Sequence, residues 1–362
     1  MAEALALAER GAGRVAPNPL VGCVIVKDGK IVGRGWHEGA GLPHAEVVAL
    51  KDAGAAARGA AVYVTLEPCN HTGRTPPCTE ALIAAGVSKV IFAHVDPTPI
   101  AAGGARRLQK AGIEIGPSVL TAEAQTQNRF YLHRIKTRRP YVIAKFAASL
   151  DGKLATHRGD SQWITGFAAR RRAHELRRQV DAIAVGADTI LADDPALTGR
   201  LDDAPTHYPL RIALDSTGRT SPGSKIYDRT GGAALIAVTD AAPRARLDAF
   251  REHGVEILPL PPDENGRPDL DALLDALGAR GVNGLLAEGG GATLGAFFDC
   301  GLVNEVWAFI APLIIGGADA PSVDGRGVGL IDHAHRLQDV AIERLDGDIL
   351  VRGRIRRPGA QR

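Results

Sequence analysis

The chain has 362 residues, a formal net charge of +2 and four cysteines. That length exceeds one comfortable core and suggests two domains, neither of which needs disulfides. So small a charge implies no global field for nucleic acid or membrane, and few cysteines without a membrane-length apolar span argue for a reducing cytoplasm.

The N-terminal run MAEALALAERGAG reads as an amphipathic helix rather than a leader. VGCVIVKDGKIVGRG then reads as a hairpin turning at Asp28-Gly29. Helix AEVVALKDAG, strand AAVYVTL, helix ALIAAG, strand KVIFAHVD, helix ARRLQKAG and strand IEIG follow, predicting a mixed sheet covered by helices. NRFYLHRIKTRRP, residues 128–140, is basic and without a clean period, and reads as the connector. A second alternation runs from PYVIAKFAASLDG through helix FAARRRAHELRRQ, strands DAIAVG, LRIALD, ALIAVT and VEILPL, and helix LDALLDALGARG. Strand GLLAEGG enters helix ATLGAFFDCG, VWAFIAPLII follows, and a hairpin turning at Asp346-Gly347 closes the chain. Both halves are therefore of the α/β class.

Chemistry concentrates first in HAEV, residues 44–47, and EPCNHTGRTPPC, residues 67–78. Zinc favours thiolate and imidazole, and a catalytic site keeps one of four positions open for water. His44, Cys69 and Cys78 supply three ligands. His44 and Cys78 open predicted helices, whose dipoles favour thiolate at that end. Glu46, two residues from His44, is placed to take a proton from water at the fourth position and return it to a leaving amine. A His-x-Glu element followed by a Pro-Cys pair is the pattern of zinc nucleobase deaminases, although eight residues separate these cysteines instead of two. A structural zinc site with His71 as fourth ligand is the other account of these residues; Glu46 favours the catalytic one. Cys23 and Cys300 fit buried small hydrophobes, because neither has a second ligand at a suitable spacing.

The widened loop PCNHTGRTPPC, together with APNPLVGCVIV and GWHEGAGLPHAEV, resembles the deaminase half of the bifunctional riboflavin-biosynthesis deaminase/reductases. KFAASLDGK, SQWIT, ADDPALTGR, LRIALDS and AEGGGATL resemble, in order, the reductase half of the same proteins. The resemblance spans nearly the whole chain. It implies a cytidine-deaminase-like three-layer α-β-α domain over residues 1–143 and a dihydrofolate-reductase-like α/β domain over residues 144–362. It also implies two cofactors, zinc and NADPH, and a small pyrimidine ribosyl phosphate as substrate.

Carried over residue by residue, the resemblance places zinc on His44, Cys69 and Cys78, the proton carrier on Glu46, and pocket contacts on Asn18, His71 and Arg74. Where the family carries Asp-Pro-Asn-Pro this chain has DPTP, with Thr98 in place of Asn. NADPH would meet Ala147, Trp163, Thr189, Asp193, Ser216, Gly290, Gly291, Ala292, Thr293, Leu294, Gly295 and Ala296. No GxGxxG turn follows the first strand of this half, so the glycine-rich Rossmann motif is not expected. Gly289-Gly290-Gly291 instead places close-packed amides between a strand and a helix. Substrate positions fall on Ser161, Arg177, Leu197, Arg200 and Glu288, with Lys145 beside Glu288 to hold the opened ribose. Arginine suits a sugar phosphate. Arg177 nonetheless lies in a run of helix arginines, Trp163 is open to a core reading, and Lys145 with Glu288 to a structural ion pair. Ser216 and Arg219 are candidates for reading the extra phosphate of NADPH.

Two other readings stand beside this one. A nucleoside or tRNA deaminase with an accessory domain predicts a basic, aromatic-bearing groove, which the sequence does not show. A zinc-stabilised binding module predicts metal-dependent folding without turnover. The expected partners are the small-molecule substrate and further copies of the chain, as a homodimer or higher oligomer, with neither nucleic acid nor membrane.

Overall fold

A computed structural model describes residues 1–72, 76–98, 103–202 and 204–356; the chain divides into two compact units, Met1–Arg138 and Arg139–Arg362. In the first, α1 (Ala2–Glu9) precedes the hairpin of β1 (Gly22–Lys27) and β2 (Lys30–Trp36). Its turn is Asp28-Gly29, both with positive φ, as the sequence pattern required. There follow α2 (Ala45–Ala53), β3 (Ala61–Val64), α3 (Cys78–Ala85), β4 (Lys89–Phe92), α4 (Gly104–Lys110), β5 (Glu114–Ile115), α5 (Thr121–Gln127) and α6 (Arg129–Thr137).

The sheet order is β2-β1-β3-β4-β5, antiparallel at β1 and parallel from β3 onward. Alternation along β1 sorts its side chains between two faces. Val24 meets Ala4 and Leu7 of α1, whereas Cys23 and Ile25 join Ala49, Val62, Val64 and Leu82. The result is the three-layer α-β-α arrangement. A Cβ on Gly35 would stand 2.3 Å from the carbonyl oxygen of Ala45, so glycine there lets α2 press onto β2 and fixes where that helix begins. Residues 128–140, expected as an aperiodic connector, instead contain α6. Tyr131, Arg134 and Ile135 share one helical face, a spacing obscured by the surrounding basic residues.

The second unit contains β6 (Tyr141–Ser149), α7 (Phe167–Arg177), β7 (Ala182–Gly186), α8 (Ala187–Asp193), β8 (Gly199–Leu201), β9 (Ala204–His207) and β10 (Leu210–Leu214). It continues with β11 (Ala234–Val238), α9 (Arg244–Glu252), β12 (Glu256–Pro259), α10 (Leu270–Ala279), β13 (Gly284–Ala287), α11 (Gly291–Asp299), β14 (Glu305–Ala311), β15 (Leu337–Leu345) and β16 (Asp348–Ile355). A domain boundary after residue 143 would cut β6; the two units separate just before it. The large sheet runs β12-β11-β10-β7-β13-β6-β14-β16-β15, parallel as far as β14, with β16 antiparallel to both β14 and β15. Its parallel strands read as continuous apolar runs because both faces are covered: Val142, Ile212 and Leu285 on one face and Ile143, Ile183 and Leu286 on the other are fully buried.

Strand β7 continues through α8 toward β10, while neighbouring β13 continues through α11 toward β14 on the opposite side. Their connections diverge, which opens a crevice at the C-terminal ends of the two strands. Cys23 is buried as expected, but Cys300 is exposed, because it follows the last residue of α11 instead of facing its core stripe. Among the described residues no helix is long and apolar enough to cross a membrane.

Candidate active sites

In the first unit the start of α2 places His44 at its N-cap and Glu46 in its first turn, where Glu46 is buried. Cys69 lies in the turn beyond β3, and Cys78 is the first residue of α3. The ligand atoms of His44, Cys69 and Cys78 all lie within 4.8 Å of one another. His44 Nδ1 is 3.1 Å from Cys78 Sγ and 3.5 Å from Cys69 Sγ, and the backbone N–H of Cys78 donates to Cys69 Sγ at 3.4 Å. Cys69 is held at about 4, first by the Cys78 thiol as donor and also by His44, while burial works against it. Burial pushes Glu46 up to about 7, with the Cys69 charge adding to the effect. Two sulfurs and one imidazole nitrogen converging from three segments fit a zinc ion with its fourth position open. His71 is not a member of this group, so the four-ligand structural account loses its fourth ligand.

His44, Cys69 and Glu46 line a pocket of about 490 Å³ that also takes in Asn18, His37, His71, Asp96, Thr98, Tyr131 and Arg134. The His37 ring donates from Nδ1 to the Pro43 carbonyl at 3.1 Å, which leaves Nε2 to accept from Asn18 Nδ2 at 2.9 Å. His71 Nδ1 is buried without a hydrogen-bond partner. Arg74 lies outside the described residues. Sequence reasoning missed His37, although it sits in the quoted GWHEGAG run, and missed Tyr131 and Arg134 because their helix was taken for a connector.

In the second unit, Glu288 follows β13 and Arg177 ends α7. The Arg177 fork meets the Glu288 carboxylate with two bonds of 2.8 Å, and Lys145 Nζ, from β6, stands 3.7 Å from Glu288 Oε2. The Glu288 side chain is 6% exposed, that of Lys145 16% and that of Arg177 17%, so Arg177 is not one of the water-facing arginines of its helix. Burial would raise the Glu288 carboxyl, but the Arg177 and Lys145 charges outweigh it and hold it at about 2.

Beside this trio, Gly290 N–H donates to Thr189 Oγ1 at 3.0 Å, and a Cβ on Gly289, whose φ is +111°, would come within 2.7 Å of the same oxygen. A Cβ on Gly186 would stand 2.4 Å from Thr293 Oγ1, so the starts of α8 and α11 lie side by side at the crevice. Cβ-free backbone with amides at the start of α11 fits the pyrophosphate of a dinucleotide. Ser161 Oγ reaches Asp193 Oδ1 at 3.5 Å, and Ser216 O accepts from Thr239. Trp163 is 68% exposed with the Arg170 guanidinium 4.7 Å from its ring centre, which rules out the core reading. Ala147 is half-buried on β6, two residues beyond Lys145. Of the run after Gly291, Ala292 and Ala296 are not fully buried, whereas Leu294 belongs to the core and Gly295 packs on the chain at Asp324. Leu197 is buried before β8 and Arg200 exposed within it, in a segment that leans on His174, a residue the sequence reading passed over.

A zinc-type donor set beside a buried carboxylate, joined in one chain to a parallel-sheet crevice with a buried ion cluster, defines a two-domain deaminase and reductase. The profile of the cytidine and deoxycytidylate deaminase zinc-binding region matches residues 1–94, and that of the RibD C-terminal domain matches residues 140–351. The riboflavin biosynthesis protein RibD of Escherichia coli is 44% identical over 351 residues, covering 94% of this chain and 92% of the relative. RibD of Acinetobacter baumannii superposes with a TM-score of 0.87 at 37% identity, over 98% of each chain. A Thermotoga maritima structure described as a diaminohydroxyphosphoribosylaminopyrimidine deaminase/5-amino-6-(5-phosphoribosylamino)uracil reductase superposes at 0.85 with 34% identity, over 98% of this chain and 97% of that one. The chain belongs to the RibD family of bifunctional riboflavin-biosynthesis enzymes, with zinc and NADPH as cofactors.

Proposed function

We propose that the first unit replaces the C2 amine of 2,5-diamino-6-ribosylamino-4(3H)-pyrimidinone 5′-phosphate by oxygen. The second unit then reduces the ribosyl chain of 5-amino-6-(5-phosphoribosylamino)uracil to ribityl. The observation that carries this reading is the convergence of His44, Cys69 and Cys78 on one point beside buried Glu46. It gains weight from the Lys145–Glu288–Arg177 cluster in the same chain.

When bound, zinc supplies the Lewis acidity that makes water a nucleophile near neutral pH. Glu46 takes the proton of the attacking water and delivers it to the leaving amine; a carboxyl poised near neutrality suits both halves of that exchange. Asn18, oriented by His37, and the partnerless His71 nitrogen present polar groups to the ring and its substituents. By the resemblance, Arg74 contacts the ring or the phosphate.

When bound, NADPH supplies the hydride for the second step. Gly290, Gly291 and the first turn of α11, with Thr189 and Thr293, hold its pyrophosphate; Trp163, Asp193, Ala147 and Ser216 line the rest of its path. Glu288 and Lys145 position the opened ribose, Arg177 and Arg200 supply positive charge for the phosphate, and Leu197 and Ser161 are further substrate positions. We assign deamination to residues 1–138 and reduction to residues 139–362. Four unpaired thiols fit a reducing cytoplasm, and exposed Val340 and Ile342 on the edge strand β15 fit self-association.

The decisive measurement is product mass after incubating zinc-loaded protein with the diaminopyrimidinone ribosylamine phosphate, first without and then with NADPH. Exchange of amine for oxygen alone, then gain of two hydrogens with NADPH, is the expected result. No mass change in either condition would overturn the assignment.

A further inference from the structure

We propose that His174 is a positioning residue of the reductase site, clamping the segment from Leu197 into β8, which carries Arg200, onto the helix that carries Arg177. The inference rests on the reductase reading above and adds a residue to it. Helix α7 sets Arg170, His174 and Arg177 at i, i+4 and i+7, so the three share one face. Each meets a different segment. Arg170 stacks on Trp163, Arg177 forks onto Glu288, and His174 Nδ1 lies 3.0 Å from the Thr198 carbonyl oxygen and 3.2 Å from the Arg200 backbone nitrogen.

The segment is pressed closely against the helix. A Cβ on Gly199 would come within 2.7 Å of Arg178 Cγ and 3.4 Å of the His174 carbonyl oxygen. Leu197 sits at φ +50° with its side chain buried, a conformation that a branched residue keeps only where its surroundings impose it. Between Arg177 on the helix and Arg200 in β8, the imidazole is the link, its Nδ1 within hydrogen-bond distance of both residues flanking Gly199 and bonded to one of them in each tautomer. Burial first, then the Arg177 and Arg200 charges, push its pKa down to about 4. The ring is therefore neutral near pH 7: as one tautomer it donates to Thr198, as the other it accepts from Arg200. Two guanidiniums can meet one phosphate only at a fixed spacing, and a segment free to lift from α7 would lose that spacing. His174 sets that spacing without touching the substrate.

The test is steady-state reduction of 5-amino-6-(5-phosphoribosylamino)uracil by the full-length enzyme carrying His174→Ala or His174→Asn. Asn places an amide where the Nδ1 atom stands and can keep those bonds. For His174→Ala the expected result is a KM for the uracil substrate raised about tenfold, with kcat and the KM for NADPH changed less than about twofold. His174→Asn should return the substrate KM to within about threefold of wild type. An unchanged substrate KM in His174→Ala, an Asn variant no better than Ala, or an equal loss toward NADPH would each overturn the role. A wild-type enzyme that oxidises no NADPH with this substrate would overturn the reductase reading, and this inference with it, before any variant is compared.

Discussion

In the first unit the reactive atoms come from two short runs of sequence, residues 44–46 and 69–78, whereas the second draws Lys145, Arg177 and Glu288 from β6, α7 and the turn after β13. A metal site depends on a few donors at short range, so local spacing nearly specifies it. The reductase cluster exists only because parallel strands far apart in sequence become neighbours: β6 and β13 pair directly, with Leu286 opposite Ile143 and Ala287 opposite Ala144. The first centre should therefore fail locally and completely when one atom changes, and the second by degrees.

The largest expected effect is at Cys78. Cys78→Ser should lose zinc, measured as metal per chain by atomic absorption, and deamination should fall by roughly 10⁴-fold or more. Reduction of the deaminated intermediate should stay within about twofold. Glu46→Gln separates metal from proton transfer: zinc should remain near one per chain while ammonia release drops by about 10²–10⁴-fold. Ammonia release near the wild-type rate in Glu46→Gln would remove the proton-carrier role, and a fully metallated, active Cys78→Ser would remove the ligand assignment.

The same contrast sets what was legible before the structure. His44, Glu46, Cys69 and Cys78 stood in motifs whose chemistry is local. Both hairpin turns were legible as Asp-Gly pairs, and the strands by their apolar runs. The role of α6 was not, because the stripe of Tyr131, Arg134 and Ile135 is interrupted by cationic residues that a periodicity reading assigns to solvent. Arg177 was ambiguous for the same reason: its helix carries several arginines, Arg172 among them just as little exposed, and only the opposing Glu288 singles Arg177 out. His174 carried no signal at all, since its partners are backbone atoms 24 and 26 residues away.

At the second centre, Glu288→Gln keeps shape and removes the charge that two cations share. Reductase kcat/KM should fall by about 100-fold and stability by up to about 3 kcal/mol, because Arg177 and Lys145 would face each other without a counter-ion. Deamination should be unchanged. The carboxyl is held at about 2 with Arg177 and Lys145 against it, so its contribution is complete above the ordinary carboxylate range and is lost only as pH falls toward 2. An acid limb assignable to Glu288 in the reductase profile between about pH 5 and 8 would contradict that geometry.

The smallest effect sharpens the comparison at Thr98, a position where the first pocket departs from the pattern of the resemblance. Thr98 stands where Asn is usual, and its backbone N–H and hydroxyl both donate to Asp96 Oδ1, at 2.8 and 2.6 Å. Its side chain also bonds Tyr131, whose phenol is pushed up to about 12, first by burial and then by the Asp96 charge, and so stays protonated. An asparagine amide offers a donor for Asp96 and an acceptor for Tyr131, so it can replace both side-chain bonds. Thr98→Asn should therefore leave deaminase kcat unchanged and move KM by no more than about threefold. Thr98→Val keeps the volume and removes the hydroxyl, leaving Asp96 one donor short and Tyr131 without that partner. It should lower thermal stability by about 1–3 kcal/mol and raise the deaminase KM more than Thr98→Asn does. Equal KM values in the Val and Asn variants would show that this hydroxyl does not shape the pocket.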